Sequence, residues 1–267
     1  MAQAAQLLLL LLFLAAGAGA GAGAAAGPAT NRTLLVFLLA GQSNMGGRGG
    51  ATSGTWDGVV PPDCKPSPRI LRLSPELRWE EAREPLHQGI DLHNVLGVGP
   101  GMPFARAILR SRRLPPHAVV GLVPCAQGAT PIASWSRGTQ LYGRMIARAR
   151  AALSSPSSSS SLQGPAGRPK LAALLWYQGE ADTIRRQDAQ LYTPRMEAFV
   201  RDVGLATGQG KFIDLVRQAQ KRVNNLLPNV KYVDAKGLPI ATDYTHLTTP
   251  AQVRLGNMLA TSYLATL

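Results

Sequence analysis

Ser43 is the residue whose type and position most directly suggest chemistry. It follows the apolar run 34–40 (LLVFLLA) and Gly41. A short continuous apolar run that ends in glycine predicts a buried parallel strand, and ligands of open α/β sheets bind where such strands end. A serine there can act as a nucleophile once a histidine accepts its proton, and its own N–H can face a developing oxyanion. Most serines after a strand only cap helices or form turns, so Ser43 needs partners elsewhere in the chain.

Asp243 and His246 supply a carboxylate and an imidazole near the other end of the chain. They precede the run 248–250 (TTP), which predicts a helix N-cap followed by a proline in the first turn. Both side chains are therefore predicted on a loop just before the last helix. There the carboxylate can hold one ring nitrogen while the other faces a serine, as in a Ser-His-Asp triad. A solvated loop with an unrelated histidine is the alternative interpretation of this pair taken alone.

Two more apolar runs predict strands that end in small or polar residues. The run 119–123 leads to Gly128, whose backbone N–H could be accessible, and the run that ends at Tyr177 leads to Gln178, whose amide could donate to an oxyanion. The carboxyl ends of parallel strands meet at one edge of a sheet. These strand ends therefore predict an α/β fold with a central parallel sheet and one crevice that also holds Ser43.

Four segments resemble, in order, the sequence blocks of the SGNH-type hydrolases: 41–45 (GQSNM), 125–135 (CAQGATPIASW), 175–182 (LWYQGEAD) and 243–248 (DYTHLT). The branch with the greatest similarity is the sialate O-acetylesterase domain family, which overlaps carbohydrate esterase family six. Within that branch the chain is most similar to the plant proteins called probable carbohydrate esterases. The resemblance extends from about residue 34 to the end of the chain.

The resemblance implies a three-layer α/β/α sandwich with a central parallel sheet, the flavodoxin-like fold of SGNH hydrolases. By position, Ser43 matches the nucleophile, His246 the general base and later acid, and Asp243 the residue that orients the histidine. The oxyanion hole would consist of the Ser43 and Gly128 backbone N–H groups and the Gln178 side chain. Such enzymes remove acetyl groups from sugar hydroxyls, and no metal or organic cofactor is expected.

Further residues of these segments are expected to support the site. Glu180 would brace it by hydrogen bonds, and Gln42 and Asn44 flank the nucleophile. Trp135 follows the Gly128 loop and is a candidate to stack on a sugar ring. We expect a serine esterase that removes O-acetyl groups from carbohydrate such as cell-wall polysaccharide. The alternatives are a catalytically impaired glycan-binding protein or a truncated isoform of the esterase.

The chain departs from the family pattern in two places. Ala129 stands where members usually carry a second glycine, which matters if that position needs a positive φ. Helical spacing over 191–202 and again over 212–227 leaves too little chain between them for a strand and two turns. Family members carry an extra apolar strand there, so we predict a truncated strand with 203–206 as its tail. Loss of an interior strand would unpair its neighbours and lower stability.

The first residues predict a targeting segment. A leucine-rich core at 7–14 and an Ala/Gly tract up to residue 27 are typical of a secretory signal, and the core is too short for a spanning helix, which needs about 20 apolar residues. We expect export to the apoplast or cell wall, without stable membrane insertion after cleavage within the Ala/Gly tract; an uncleaved anchor is the alternative. Asn31 begins a glycosylation sequon. Residues 33–267 are expected to form a single domain with a serine-rich surface loop at 154–167.

Composition restricts the partners. The formal net charge is +13, which makes acidic polysaccharide a candidate partner, with scattered solvated arginines as the alternative, and the chain carries no nucleic-acid recognition motif. We expect a monomer that acts on acetylated carbohydrate and does not bind nucleic acid. The two cysteines, Cys64 and Cys125, permit one disulfide in an exported protein, and two free buried thiols are the alternative.

Overall fold

A computed structural model of the protein describes residues 9–13, 32–115, 117–154, 169–206, 230–235, 237–243 and 245–267. The helix expected over 212–227, the sequon residue Asn31 and all but the first residue of the serine-rich loop lie outside the described residues.

The described strands are, in chain order, β1 Leu9–Phe13, β2 Leu34–Gly41, β3 Ala51–Thr52, β4 Thr55–Trp56, β5 Ile70–Leu73, β6 Trp79–Glu81, β7 Val119–Pro124, β8 Lys170–Tyr177 and β9 Val230–Val233. The described α-helices are α1 Ser43–Gly46, α2 Gly101–Arg110, α3 Gln140–Ser154, α4 Arg186–Ala206 and α5 Thr249–Leu264. Short 3₁₀ turns cover Pro62–Cys64, Ile132–Trp135 and Glu180–Thr183.

Seven of the described strands form one sheet, in the order β6-β5-β7-β2-β8-β1-β9. The central strands β5, β7, β2 and β8 run parallel, and β6 is antiparallel at the edge. All eight residues of β2 are buried, as expected for a parallel strand covered on both faces. The apolar runs identified in the sequence therefore form the centre of the sheet.

Helices cover both faces of the sheet. Phe37 and Leu39 of β2 belong to a core cluster that includes buried residues of α2 and α5. Val36 and Leu38, which point to the opposite face, pack in a second cluster with buried residues of α3 and α4. This alternation follows from the two-residue period of a strand. The predicted three-layer α/β/α sandwich with a mostly parallel sheet is confirmed.

The chain after residue 202 differs from the prediction. Residues 203–206 continue α4 as its last turn, so their assignment as the tail of a strand is wrong. Val203 is buried in the same cluster as Phe199 and Val200, so this end of α4 extends the apolar face that packs on the sheet.

The sheet position beside β8 is occupied by β1. This strand pairs antiparallel with β8 on one side and with β9 on the other. It consists of leucines and a phenylalanine from the expected signal segment. Because an unpaired edge exposes backbone donors and acceptors, β1 satisfies hydrogen bonds that β8 and β9 would otherwise lack. Cleavage within the Ala/Gly tract that follows would remove this strand, so the sheet described here belongs to the uncleaved chain.

Within the described part of the chain, no helix has both the length and the apolar content needed to cross a bilayer.

Candidate active site

The turn that presents Ser43 depends on a glycine. Gly41 ends β2 with a φ of 128°, and a Cβ atom there would lie only 2.1 Å from the Tyr177 carbonyl oxygen. This close approach lets the Gln42 N–H donate to the same oxygen at 2.9 Å. Ser43 then begins α1 at the carboxyl end of the central strand, and it is 5% exposed. The first hydrogen bond of α1 is donated by the Met45 N–H to the Gln42 carbonyl. The Ser43 N–H lies before it in the chain, among the first N–H groups of the helix, which have no partner within the helix.

The loop before α5 carries the other two residues. Thr248 is the N-cap, and its hydroxyl accepts the Ala251 N–H at 3.4 Å. The predicted cap is therefore confirmed, and Asp243 and His246 lie on the preceding loop. The Ala241 N–H donates to the His246 carbonyl at 2.7 Å, which folds this loop back on itself.

Ser43, His246 and Asp243 form one hydrogen-bonded chain. His246 Nε2 lies 2.8 Å from Ser43 Oγ, and His246 Nδ1 lies 2.6 Å from Asp243 Oδ2. The serine and the histidine are 203 residues apart in sequence. The structure therefore brings together all three residues that the sequence nominated as a triad, with each ring nitrogen facing one partner.

The loop also fixes the Asp243 carboxylate. Its Oδ1 accepts the backbone N–H groups of Thr245 and His246, each at 2.9 Å. Partial burial raises the pKa of Asp243, but these hydrogen bonds and the imidazole lower it by more. The pKa of Asp243 therefore lies below its usual value. Asp243 is thus held as an acceptor for the protonated Nδ1 of the histidine.

The three expected supporting residues lie around this chain. Gln42 Oε1 lies within hydrogen-bonding distance of the Gln178 amide and of two N–H groups in the 179–181 segment. Asn44 donates to Glu180 Oε1 at 2.8 Å. Burial raises the pKa of Glu180, while the hydrogen bond from Asn44 opposes that shift. Both supporting contacts connect the nucleophile turn to the end of β8.

The Gly128 N–H is not available at Ser43 in this structure. It donates to Asp91 Oδ1 at 3.0 Å. The same oxygen accepts the Gln127 amide at 2.7 Å, so the carboxylate fixes the Gly128 loop. The expected oxyanion role of Gly128 therefore requires that its single donor first leave the Asp91 carboxylate.

The Gln178 side chain is likewise engaged elsewhere. It is fully buried, and its Nε2 lies 2.6 Å from Asp182 Oδ2 and 2.8 Å from the Thr130 carbonyl oxygen. A primary amide has only two N–H donors. Gln178 therefore joins the loop after β7 to the end of β8, and its predicted donation to an oxyanion does not fit this arrangement.

Trp135 does not reach solvent. It is fully buried, its Nε1 donates to Thr130 Oγ1 at 3.1 Å, and its ring makes an edge contact with Trp176 at 5.2 Å between centroids. The predicted stacking of Trp135 on a sugar ring is wrong, because the indole belongs to the core between the sheet and its helices.

Ala129 adopts a conformation that usually belongs to glycine. Its φ is 56°, in the left-handed region. The Cβ atom of an L-residue makes this region unfavourable by about 1–2 kcal/mol. The second glycine of the family pattern thus has a physical reason at this position, and the alanine here carries backbone strain beside Gly128.

Sequence reasoning missed Arg48 and Asp91. They form an ion pair at 2.6 Å, and the side chains are 7% and 0% exposed. Asp91 Oδ1 additionally accepts the Asn94 amide at 2.8 Å. The available signal was an arginine within a glycine-rich stretch (GGRGG) just after the nucleophile turn, but nothing in the sequence marked its acidic partner.

The described residues include no group of three or more His, Cys, Asp or Glu side chains that could hold a metal ion. Cys64 and Cys125 are free and buried, as in the alternative to a disulfide. Burial raises the pKa of the Cys125 thiol to about 11, so it is protonated at neutral pH.

The fold, a mostly parallel sheet with helices on both faces, is that of the SGNH-like esterases. The chain belongs to the family described as carbohydrate esterase, sialic acid-specific acetylesterase, whose sequence model matches residues 33–265.

Among its relatives is the probable carbohydrate esterase At4g34215 of Arabidopsis thaliana, which is 45% identical over 250 residues, or 86% of this chain and 90% of that protein. The X-ray structure of that Arabidopsis protein matches with a TM-score of 0.72 and 42% identity, over 88% of this chain and 98% of the other. The crystal structure of NanS, with a TM-score of 0.56 and 18% identity, covers 88% of this chain and 96% of its own and shares the fold.

Proposed function

We propose that this protein is an acetylesterase that removes O-acetyl groups from carbohydrate hydroxyls, with Ser43 as nucleophile. The observation that carries the proposal is the hydrogen-bonded chain from Ser43 Oγ through His246 to Asp243, at 2.8 and 2.6 Å. Membership of the carbohydrate esterase family supports an acetylated sugar as the substrate.

The first half-reaction follows from the two distances. As Ser43 Oγ attacks the acetyl carbonyl carbon, His246 Nε2 accepts the hydroxyl proton, and the carbonyl oxygen becomes an oxyanion. When the tetrahedral intermediate collapses, the C–O bond to the sugar breaks and His246 returns the proton to the leaving alkoxide. Asp243 accepts the Nδ1–H throughout and stabilises the transient imidazolium. The product is a free sugar hydroxyl and an acetyl-serine.

The second half-reaction repeats these steps with water. His246 accepts a proton from water as the oxygen attacks the acetyl-serine, and then gives that proton to Ser43 Oγ as acetate leaves. The Ser43 N–H is the donor that α1 leaves for the oxyanion. Gly128 and Gln178 could add donors only after their bonds to Asp91 and Asp182 open.

Those engaged donors favour one competing function, a glycan-binding protein that keeps the pocket with little turnover. Loss of an oxyanion donor typically costs about 10²–10³ in kcat. The complete triad favours catalysis, since an intact Ser-His-Asp chain has no use in binding alone.

The two functions separate in one experiment. We expect the wild type to release acetate from 4-nitrophenyl acetate and from acetylated xylan or pectin, and to be labelled at Ser43 by a fluorophosphonate. Ser43→Ala should lose both properties. Ser67→Ala is the matched control, because the hydroxyl that it removes accepts the Arg69 N–H in an exposed hydrogen bond outside the site. An active Ser43→Ala would overturn the proposed nucleophile, and an inactive wild type that still binds acetylated glycans would favour the competing function.

We further propose export by the N-terminal apolar segment and attraction to acidic polysaccharide by the positive charge of +13. Screening weakens such attraction, so binding to pectin should fall as salt rises. N-terminal sequencing of protein recovered from the medium decides whether residues 1–27 are removed, and therefore whether β1 is present in the exported form.

A further inference from the structure

We propose that Asn44 is a positioning residue that holds His246 against Ser43, and that Glu180 anchors Asn44 in this role. The inference rests on the proposed function, and its test below is chosen so that the two can fail separately.

The Asn44 side chain contacts the backbone on both sides of His246. Its Oδ1 accepts the Leu247 N–H at 2.8 Å, and its Nδ2 donates to the Thr245 carbonyl at 3.2 Å. One amide thus fixes the peptide groups before and after the histidine. Asn44 also follows Ser43 directly in the chain, so the contact joins the nucleophile turn to the histidine loop.

Two further hydrogen bonds fix Asn44 itself. Its Nδ2 donates to Glu180 Oε1 at 2.8 Å, and the Gln252 amide of α5 donates to the Asn44 carbonyl at 3.2 Å. Both Asn44 and Gln252 are buried, with 1% and 0% exposure. Loss of either bond would be costly, because water cannot reach this buried site to replace the missing partner.

The partners also decide which way the amide faces. Nδ2 points at two acceptors, Glu180 Oε1 and the Thr245 carbonyl, whereas Oδ1 points at a donor, the Leu247 N–H. A flipped amide would place its oxygen against two acceptors. Asparagine satisfies all three contacts, while aspartate lacks the donors and alanine lacks both functions.

The histidine loop needs such a restraint because it is otherwise open to solvent. The Asp243 and His246 side chains are 46% and 26% exposed. A base displaced by about 1 Å from its nucleophile can lose about a hundredfold in rate. The Asn44 contacts therefore act on the Ser43–His246 distance and leave substrate binding unchanged.

The experiment measures kcat and KM for 4-nitrophenyl acetate with four variants. We expect Asn44→Ala to lower kcat by about 30–100-fold with KM within twofold, and Asn44→Asp to lose at least as much, since its carboxylate faces Glu180. In the double variant Asn44→Asp/Glu180→Gln, the new glutamine amide can donate to the new carboxylate. We expect it to recover at least fivefold in kcat over Asn44→Asp, an effect that general loss of packing would not give.

Glu180→Ala removes the anchor and leaves both contacts to the loop, so we expect about a tenfold loss in kcat. This variant also keeps the inference testable should Asn44→Ala fail to fold, which thermal melting reports. Asn257→Ala is the matched control, because its amide donates only to the Val253 carbonyl within α5. We expect it to match the wild type.

The outcomes separate the two proposals. If Ser43→Ala keeps activity, the proposed function itself is wrong. If Ser43→Ala is inactive while folded Asn44→Ala and Glu180→Ala both stay within twofold of the wild-type kcat, the function stands and the positioning role is wrong. A raised KM at unchanged kcat would also overturn it, because it would make Asn44 a binding contact. Failure of the double variant to recover would remove Glu180 as the anchor.

Discussion

Asp243→Asn probes the charge that supports His246 without changing the size of the side chain. The change keeps one oxygen but replaces the other by an N–H donor. Whichever way the amide turns, a donor then faces either the protonated Nδ1 of His246 or the N–H groups of Thr245 and His246. The imidazolium formed during catalysis also loses its negatively charged partner.

The magnitude follows from the exposure of the pair. Unit charges about 4 Å apart attract by about 4 kcal/mol at an effective dielectric constant of about 20, and by about 1 kcal/mol in bulk water. Asp243 is 46% exposed, so its attraction lies between these limits. A loss of about 2–3 kcal/mol corresponds to about a hundredfold in kcat. Where the carboxylate of a triad is buried, the same change can cost about 10⁴-fold.

The assay is steady-state hydrolysis of 4-nitrophenyl acetate at pH 7. Asp63→Asn is the control: it removes an exposed ion pair with Arg110 and should leave kcat unchanged. A loss below threefold in Asp243→Asn would refute an electrostatic role for Asp243. A loss near 10⁴-fold would refute the argument from solvent screening, although Asp243 would remain essential.

Three predictions concern stability, each measured by urea or thermal unfolding. Asp91→Ala leaves Arg48 as an unpaired buried charge and should lower the free energy of unfolding by about 3–5 kcal/mol, whereas Asp63→Ala at the exposed pair should cost less than 1 kcal/mol; equal losses would contradict the role of burial. Ala129→Gly should raise the free energy of unfolding by up to about 1 kcal/mol, because glycine relieves the positive φ but adds freedom to the unfolded chain, and a destabilised variant would mean that the alanine is not strained. Deletion of residues 1–13 removes strand Leu9–Phe13 and should lower the melting temperature by roughly 5–10 °C; an unchanged value would show that the strand adds no stability to the sheet.

Several parts of the site could be predicted because the signal was local. The run 34–40 encodes a buried strand in its own composition, and Gly41 marks the sharp turn that only a residue without Cβ can make there. The run 248–250 encodes a helix start, which places His246 on the loop before it. Because the carboxyl ends of parallel strands lie at one edge of the sheet, the sequence also predicts that Ser43 and His246 meet there.

Other parts could not be predicted because they depend on competition among distant groups. The sequence predicts Gly128 as an oxyanion donor, but the fold places the Asp91 carboxylate beside its N–H. The sequence predicts Trp135 as a sugar contact, but the core encloses its side chain completely. Residues 203–206 were assigned to a strand, but the helix α4 continues through them and Val203 extends its buried face.

The sequence by itself determined the central parallel strands, their carboxyl edge and the three residues of the hydrogen-bonded chain, since strand patterns, glycine turns and helix caps act over a few neighbouring residues. Only the tertiary structure decided which partner each polar group takes. In a buried site a donor is satisfied by the acceptor that packing brings nearest, and for Asn44 that means Glu180 on one side and the backbone around His246 on the other.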